Sequence, residues 1–151
     1  MSVSSEAREK AHQALADYLS KNGLKQTRQR EAILDTFLSS SGHVTSEELY
    51  EAVRSENPEI GAATVYRSMK LFCEAGLANS HHFRDGVTLY EPRGKHHDHL
   101  VCMECGEVIE FRNDTIEREQ EKVAAQFGFE LTHHRHILYG TCLKKDCKHR
   151  A

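Results

Sequence analysis

Residues 61–91 read GAATVYRSMKLFCEAGLANSHHFRDGVTLYE. The first half of this stretch has a helical period, with Val65, Met69 and Phe72 on one face and Gly76 at its end. The period then changes. SHHFRDGVTLYE is two short β-prone runs around Asp85-Gly86, a dipeptide suited to a tight hairpin turn. A helix that runs directly into a hairpin is the closing part of a winged helix-turn-helix. The question is whether the preceding residues supply the other helices.

They do. AREKAHQALADYL places Ala7, Ala11, Leu15, Tyr18 and Leu19 on one face, with Gly23 as a stop just beyond. Thr27 can cap a second helix carrying Ile33, Leu34, Phe37 and Leu38. Thr45 and Glu48 form a capping box for a third helix, which must end before Pro58.

Downstream the composition changes. Nine of the eleven histidines lie between His81 and His149, as do four of the five cysteines. EPRGK (residues 91–95) is a short polar stretch with proline and glycine, and it is read as a hinge. The expected domains are residues 1–92 and 93–151. In the second, DHLVCMECGEVIEF reads as two strands around a Cys-x-x-Cys turn. NDTIEREQEKVAAQFG reads as a helix capped by Asp114, with Glu117 three residues on and Gly128 at its close. FELTHHRHILYGTC alternates as a long strand. The fold class is therefore α+β: a winged helix followed by a small α/β domain with an antiparallel sheet.

With 151 residues, 28% charged and 38% hydrophobic, the chain is long enough for two small domains. MSVSSEAREK has no apolar signal core, and no apolar run approaches the ~20 residues of a membrane span. A cytoplasmic protein with no membrane partner is expected. A net charge of −3 argues weakly against nucleic acid. Yet KNGLKQTRQR, Lys21 to Arg30, carries four positive charges and no acid. Its bland reading is a solvated face.

Cys102-x-x-Cys105 and Cys142-x4-Cys147 are two close pairs of thiols, the set a closed tetrahedral Zn²⁺ site needs. In a reducing compartment, paired cysteines more often hold metal than form disulfides. Cys73, near Met69 and Phe72 on the fourth helix, reads as a core thiol. KHHDHL (residues 95–100) supplies a second donor chemistry. If it is a strand, His97 and His99 point one way and His96 and Asp98 the other. Two sites on opposite faces follow, each suited to Zn²⁺, Fe²⁺, Mn²⁺ or Co²⁺. Glu91, Glu110, Glu117 and His134 are further candidate ligands, and the pattern alone does not say which acid joins which pair.

Taken together, GLKQTRQREAIL, GHVTSEELY, GAATVYR, HHDHLVCMECGEVIEF, DTIEREQ and LTHHRHILYGTC resemble the ferric uptake regulator family of metal-sensing repressors, in that family's order. The resemblance implies a DNA-binding winged helix and a dimerisation domain. It implies structural zinc at Cys102, Cys105, Cys142 and Cys147, and a regulatory ion at His43, Glu91, His97, His99 and Glu110. Because His43 lies in the first half, that ion would bridge the two domains. A second, more variable site is implied at His96, Asp98, Glu117 and His134. The segment between Glu91 and His97 is a little shorter than in the best-known member. Without the resemblance, His43 would pass for a surface or capping residue.

The resemblance also places Tyr66 and Arg67 in the major groove and Lys25 in the adjacent minor groove; Arg30 matches a family position too, and a phosphate contact is expected of it. The partners it implies are a palindromic A·T-rich duplex and a second copy of the chain, with pairing of dimers into tetramers on DNA left open. Glutamate at position 110 favours iron sensing, because the peroxide-sensing branch typically has aspartate there. Zinc sensing often recruits a thiolate, and Cys73 lies on the wrong element for that. Fe²⁺ is thus the expected regulatory ion, replaceable by Mn²⁺ or Zn²⁺ in vitro, with zinc, manganese or peroxide sensing as alternatives. No HExxH helix or nucleophile triad occurs, so no catalytic residue and no small-molecule substrate are expected.

Overall fold

The computed structural model describes residues 3–40, 43–84, 86–94 and 96–146. Asp85 of the expected turn, Lys95 of the expected hinge and Cys147 of the expected zinc set lie outside the described residues. The chain divides into two compact units, residues 1–94 and 95–151.

The first unit runs α1 (Ser5–Lys21), α2 (Arg28–Ser39), α3 (Ser46–Glu56), α4 (Ala62–Glu74), β1 (Ala78–Arg84) and β2 (Val87–Pro92). The starts of α2 and α3 are where the sequence places them, while α1 begins two residues before the stretch read as helix, capped by Ser4. Thr27 Oγ1 accepts from Arg30 N at 3.1 Å. The Thr45–Glu48 box is complete, with Glu48 N donating to Thr45 Oγ1 at 3.1 Å and Thr45 N to Glu48 Oε2 at 2.9 Å. Such caps satisfy amide groups that the helix itself leaves without partners. Gly23 (φ 65°) and Gly76 (φ 78°) end α1 and α4 in the left-handed region.

The apolar faces converge on one core. Leu15, Ile33, Leu34, Phe37, Val53, Val65, Met69 and Phe72 are fully closed to solvent. Burying each large side chain contributes about 1.5–3 kcal/mol against the entropy of folding. On the outside of α1 and α2, Arg8 Nη1 donates to Asp35 Oδ1 at 3.0 Å and His12 Nε2 lies 2.7 Å from the same oxygen.

The hairpin is antiparallel, with Asn79 opposite Glu91 and His81 opposite Leu89, and its register shifts between His81 and Arg84. A third edge comes from the α2–α3 connection. Val44 and Tyr90 exchange backbone hydrogen bonds of 2.9 and 2.7 Å.

The second unit contains β3 (Asp98–Cys102), β4 (Val108–Phe111), α5 (Asp114–Gln126) and β5 (Ile137–Gly140) in sheet order β4-β3-β5. The expected antiparallel pairing is that of β3 with β4. β5 joins β3 in parallel, because the chain returns through α5, as a parallel neighbour requires.

Two local details differ from the sequence reading. The cap of α5 is Asn113, whose Oδ1 accepts from Thr115 N and Ile116 N, and Asp114 is already helical. The long alternating strand is also shorter than read, since β5 begins only at Ile137. Its partner β3 begins at Asp98, in register with His99 opposite Ile137, so little strand remains for residues 131–136 to pair with.

Candidate metal centres and nucleic-acid face

In the first unit, strand pairing builds a histidine–carboxylate cluster. The antiparallel bridge Val44–Tyr90 sets His43 across from Glu91. The β1–β2 register makes His81 the diagonal neighbour of Glu91 on the same face. His43 Nε2 lies 2.9 Å from Glu91 Oε2, and His81 Nε2 lies 2.7 Å from Glu91 Oε1. Glu91 and His81 are 3% and 5% exposed. A carboxylate this deep needs charge-assisted partners on both oxygens. His81 was not singled out in the sequence. A regular two-residue hairpin at Asp85-Gly86 would pair His81 with Tyr90 and turn it away from Glu91; the register shift between His81 and Arg84 brings it to the Glu91 face, and the sequence carries no signal of that shift.

The second unit keeps the alternation of the His-rich strand. His99 stands opposite Glu110 in the β3–β4 ladder, and their ligand atoms lie within 4.8 Å. His97, just ahead of β3, follows the same side, its Nε2 3.6 Å from Glu110 Oε1 and its ring 4.8 Å from that of His99. The other side carries His96, Asp98, Glu117 and His134. Glu117 comes from the first turn of α5, and His134 from the segment before β5.

This last cluster fits a cation. Asp98 is 0% exposed, and neither of its carboxylate oxygens has a hydrogen-bond partner among the described residues. His134 Nε2 is likewise buried and without one. The donors stand 3.4 Å (His96 to Asp98), 3.6 Å (His134 to Asp98) and 3.5 Å (His134 to Glu117) apart. Those three spacings exceed hydrogen-bond lengths of ~2.7–3.2 Å, while His96 Nε2 and Glu117 Oε1, at 3.1 Å, are hydrogen-bonded. The three match the edge of a tetrahedron, about 3.4 Å, around an ion held at ~2.1 Å.

The thiols form a third set. Cys102, Cys105 and Cys142 bring their sulfurs within 4.8 Å of one another, and Cys105 and Cys142 stand 4.0 Å apart. A Zn–S length of ~2.3 Å gives sulfur–sulfur edges of about 3.8 Å. The Cys105 backbone N–H points at Cys102 Sγ from 3.5 Å. That bond outweighs burial and, with the Cys142 backbone, draws the Cys102 thiol from 9.0 down to about 6. A thiolate at neutral pH is the form that binds metal. Cys73 differs: it packs partly buried against the core, and burial raises its pKa.

The open face of α4 is separate from these clusters. Val65, Ser68, Met69 and Phe72 turn inward, while Tyr66 is 56% exposed, with Arg67 and Lys70 beside it. Tyr66 and Lys70 line a groove of about 520 Å³ with Cys73, His82, Thr88 and Tyr90. Lys25 is exposed in the turn before α2, where its carbonyl accepts a hydrogen bond from the Arg30 guanidinium.

Residues 21–139 match the model of the ferric uptake regulator family. The chain belongs to that family. The ferric uptake regulation protein of Cupriavidus metallidurans is 45% identical over 130 residues, 85% of this chain and 91% of that protein. The Pseudomonas aeruginosa ferric uptake regulator, solved with manganese, has a TM-score of 0.76 at 37% identity, over 85% of this chain and 98% of its own. The Helicobacter pylori regulator, whose structure reveals three functional metal-binding sites, has a TM-score of 0.83 at 27% identity, over 93% of each chain. Like them, this ferric uptake regulator family member is a mixed helix-and-sheet chain.

Proposed function

We propose that this family member is a homodimeric repressor that binds palindromic A·T-rich DNA in response to Fe²⁺ and carries structural Zn²⁺. The observation that carries the reading is the division of donors in the second unit. Residues 96–99 turn alternately to two imidazole–carboxylate sets, while the thiols form a third. One thiol set and two imidazole–carboxylate sets suit one structural and two exchangeable ions.

In this reading Cys102, Cys105, Cys142 and Cys147 hold zinc, and His43, Glu91, His97, His99 and Glu110 serve the regulatory ion. His96, Asp98, Glu117 and His134 serve the second. A bound cation supplies the positive charge that lets these imidazoles and carboxylates share one centre. The chain's own residues do the rest. His81 fixes one oxygen of Glu91 and leaves the other to face His43. With donors drawn from both units, an ion that binds one arrangement of the chain more tightly than the others would select it.

On DNA, Tyr66 packs on a thymine methyl and Arg67 reaches a guanine edge or a phosphate. Lys25 enters the minor groove, and Arg30 meets a phosphate once it turns from the Lys25 carbonyl. Two copies present two α4 helices to half-sites about 34–36 Å apart, or a multiple of that. Support for the dimer comes from the second unit, where Val123, Phe127, Phe129 and Tyr139 are 53–74% exposed. Apolar surface of that kind marks an interaction face. A regulator rather than an enzyme, acting in the cytoplasm, accords with membership of the family.

Fe²⁺ is preferred on Glu110 and on the iron-uptake naming of the relatives. Ligand affinity alone would favour Zn²⁺, so selectivity rests on geometry and availability. The test is parallel anaerobic titration of the zinc-loaded protein with Fe²⁺, Mn²⁺ and Zn²⁺ while duplex binding is followed. A response to Fe²⁺ and Mn²⁺ at low micromolar levels supports iron sensing. A response to Zn²⁺ alone assigns the protein to zinc sensing.

A further inference from the structure

His136 belongs to none of the donor sets named above, yet it stands beside one of them. It immediately precedes β5, and its carbonyl accepts from His99 N at 3.2 Å, which fixes its backbone against β3. Since His99 pairs with Ile137, His136 falls in line with Asp98 across the parallel ladder. Phe111, paired with Asp98 on the other side, completes the row, and its ring meets that of His136 edge-on at 6.3 Å.

The two oxygens of Asp98 therefore face different groups. Oδ1 lies 3.4 Å from His96 Nε2 and 3.6 Å from His134 Nε2. Oδ2 lies 3.8 Å from His136 Nδ1. Among the described residues His136 Nδ1 is buried with no hydrogen-bond partner, as is Asp98 Oδ2. A closure of about 1 Å would make them a charge-assisted pair. His136 stands outside the cluster whose ligand atoms all converge, so it is not placed as a ligand.

Resting on the second-site reading above, we infer that His136 is a positioning residue for that site. Its Nδ1–H takes Asp98 Oδ2, so that Asp98 offers the cation Oδ1 alone. Groups that bind the outer side of a metal ligand set its orientation, and losing one commonly lowers affinity about 10–100-fold. Without His136, Asp98 is free to turn both oxygens to the ion and raise its coordination number.

The experiment uses the full zinc-loaded chain and Co²⁺ as probe, since cobalt's visible absorption weakens as coordination rises above four. The parent signal that disappears in His134→Ala defines the second site. His136→Leu keeps the bulk beside Phe111 but removes the donor. It should retain zinc and fold, bind Co²⁺ at this site about 10–100-fold more weakly, and show a fainter band. His136→Asn, whose amide can stand near Nδ1, should restore part of both. Parent-like affinity and band in His136→Leu overturn the inference. Absence of any His134-dependent Co²⁺ signal in the parent overturns the site reading instead.

Discussion

His43 and Glu91 meet through Nε2 and Oε2 at 2.9 Å, and both side chains are nearly closed to solvent. The contact is set by backbone hydrogen bonds one residue away, between Val44 and Tyr90. A loop histidine thereby joins the end of the wing. Glu91 also binds His81, so its removal leaves two imidazoles facing a buried gap. Glu91→Ala should cost the metal-free protein about 1–3 kcal/mol in urea unfolding. The same variant should lose metal-stimulated DNA binding. An unfolding midpoint equal to the parent's would show that Glu91 does not organise this cluster.

His97→Ala removes a donor from the proposed regulatory set and leaves the thiols untouched. Zinc content, measured by elemental analysis, should be unchanged while Fe²⁺-stimulated DNA binding disappears. If the variant responds to metal like the parent, the regulatory assignment is wrong.

Tyr66 and Lys25 should separate by the character of their losses. Tyr66→Ala should weaken operator binding by about 1–2 kcal/mol and leave metal content alone. Lys25→Ala should also lower the slope of log affinity against log salt by about one unit. Unchanged affinity for Tyr66→Ala would remove that residue from the DNA face.

Cys105→Ser breaks the sulfur set at the residue that contacts both Cys102 and Cys142. Zinc stoichiometry should fall by one per chain, and residues 95–151 should become sensitive to limited trypsin digestion, because site formation and folding are coupled. Full zinc retention would place the metal elsewhere.

Asp35 gives a pH signature remote from any metal. Burial raises its carboxyl, but His12 and Arg8 more than offset this and hold it below 3.8. A lowered acid stabilises the fold above its unfolded value and loses that contribution as pH falls through the folded value. Half of the side chain is exposed, so solvent screening limits the contribution to at most about 1 kcal/mol. Asp35→Asn should therefore be slightly less stable than the parent at pH 7, and the gap should close below pH 3.8. A gap that stays the same from pH 7 down to acid unfolding would mean the ion pairs are not its source.

What could be read in advance follows from how local each signal is. Thr27, Thr45, Glu48, Gly23 and Gly76 act within a few residues, and each does so where expected. The alternation of His96 to His99 survives although only Asp98 and His99 lie in β3, because the extended chain carries it backwards. The misreadings are non-local or finely balanced. Asn113 and Asp114 are both good caps, and one residue decides between them. The length of β5 depends on where β3 begins. His81 and His136 owe their positions to pairing registers, which periodicity does not contain.

In the proposed function, metal ions held by this chain switch its affinity for DNA. The most direct measurement is anaerobic fluorescence anisotropy of an A·T-rich palindromic duplex with zinc-loaded protein, at one fixed salt concentration because affinity varies steeply with it. Binding should be weak without added metal, tight with Fe²⁺ at low micromolar levels, and reversed by chelator. Equal affinity with and without metal would contradict the proposed function.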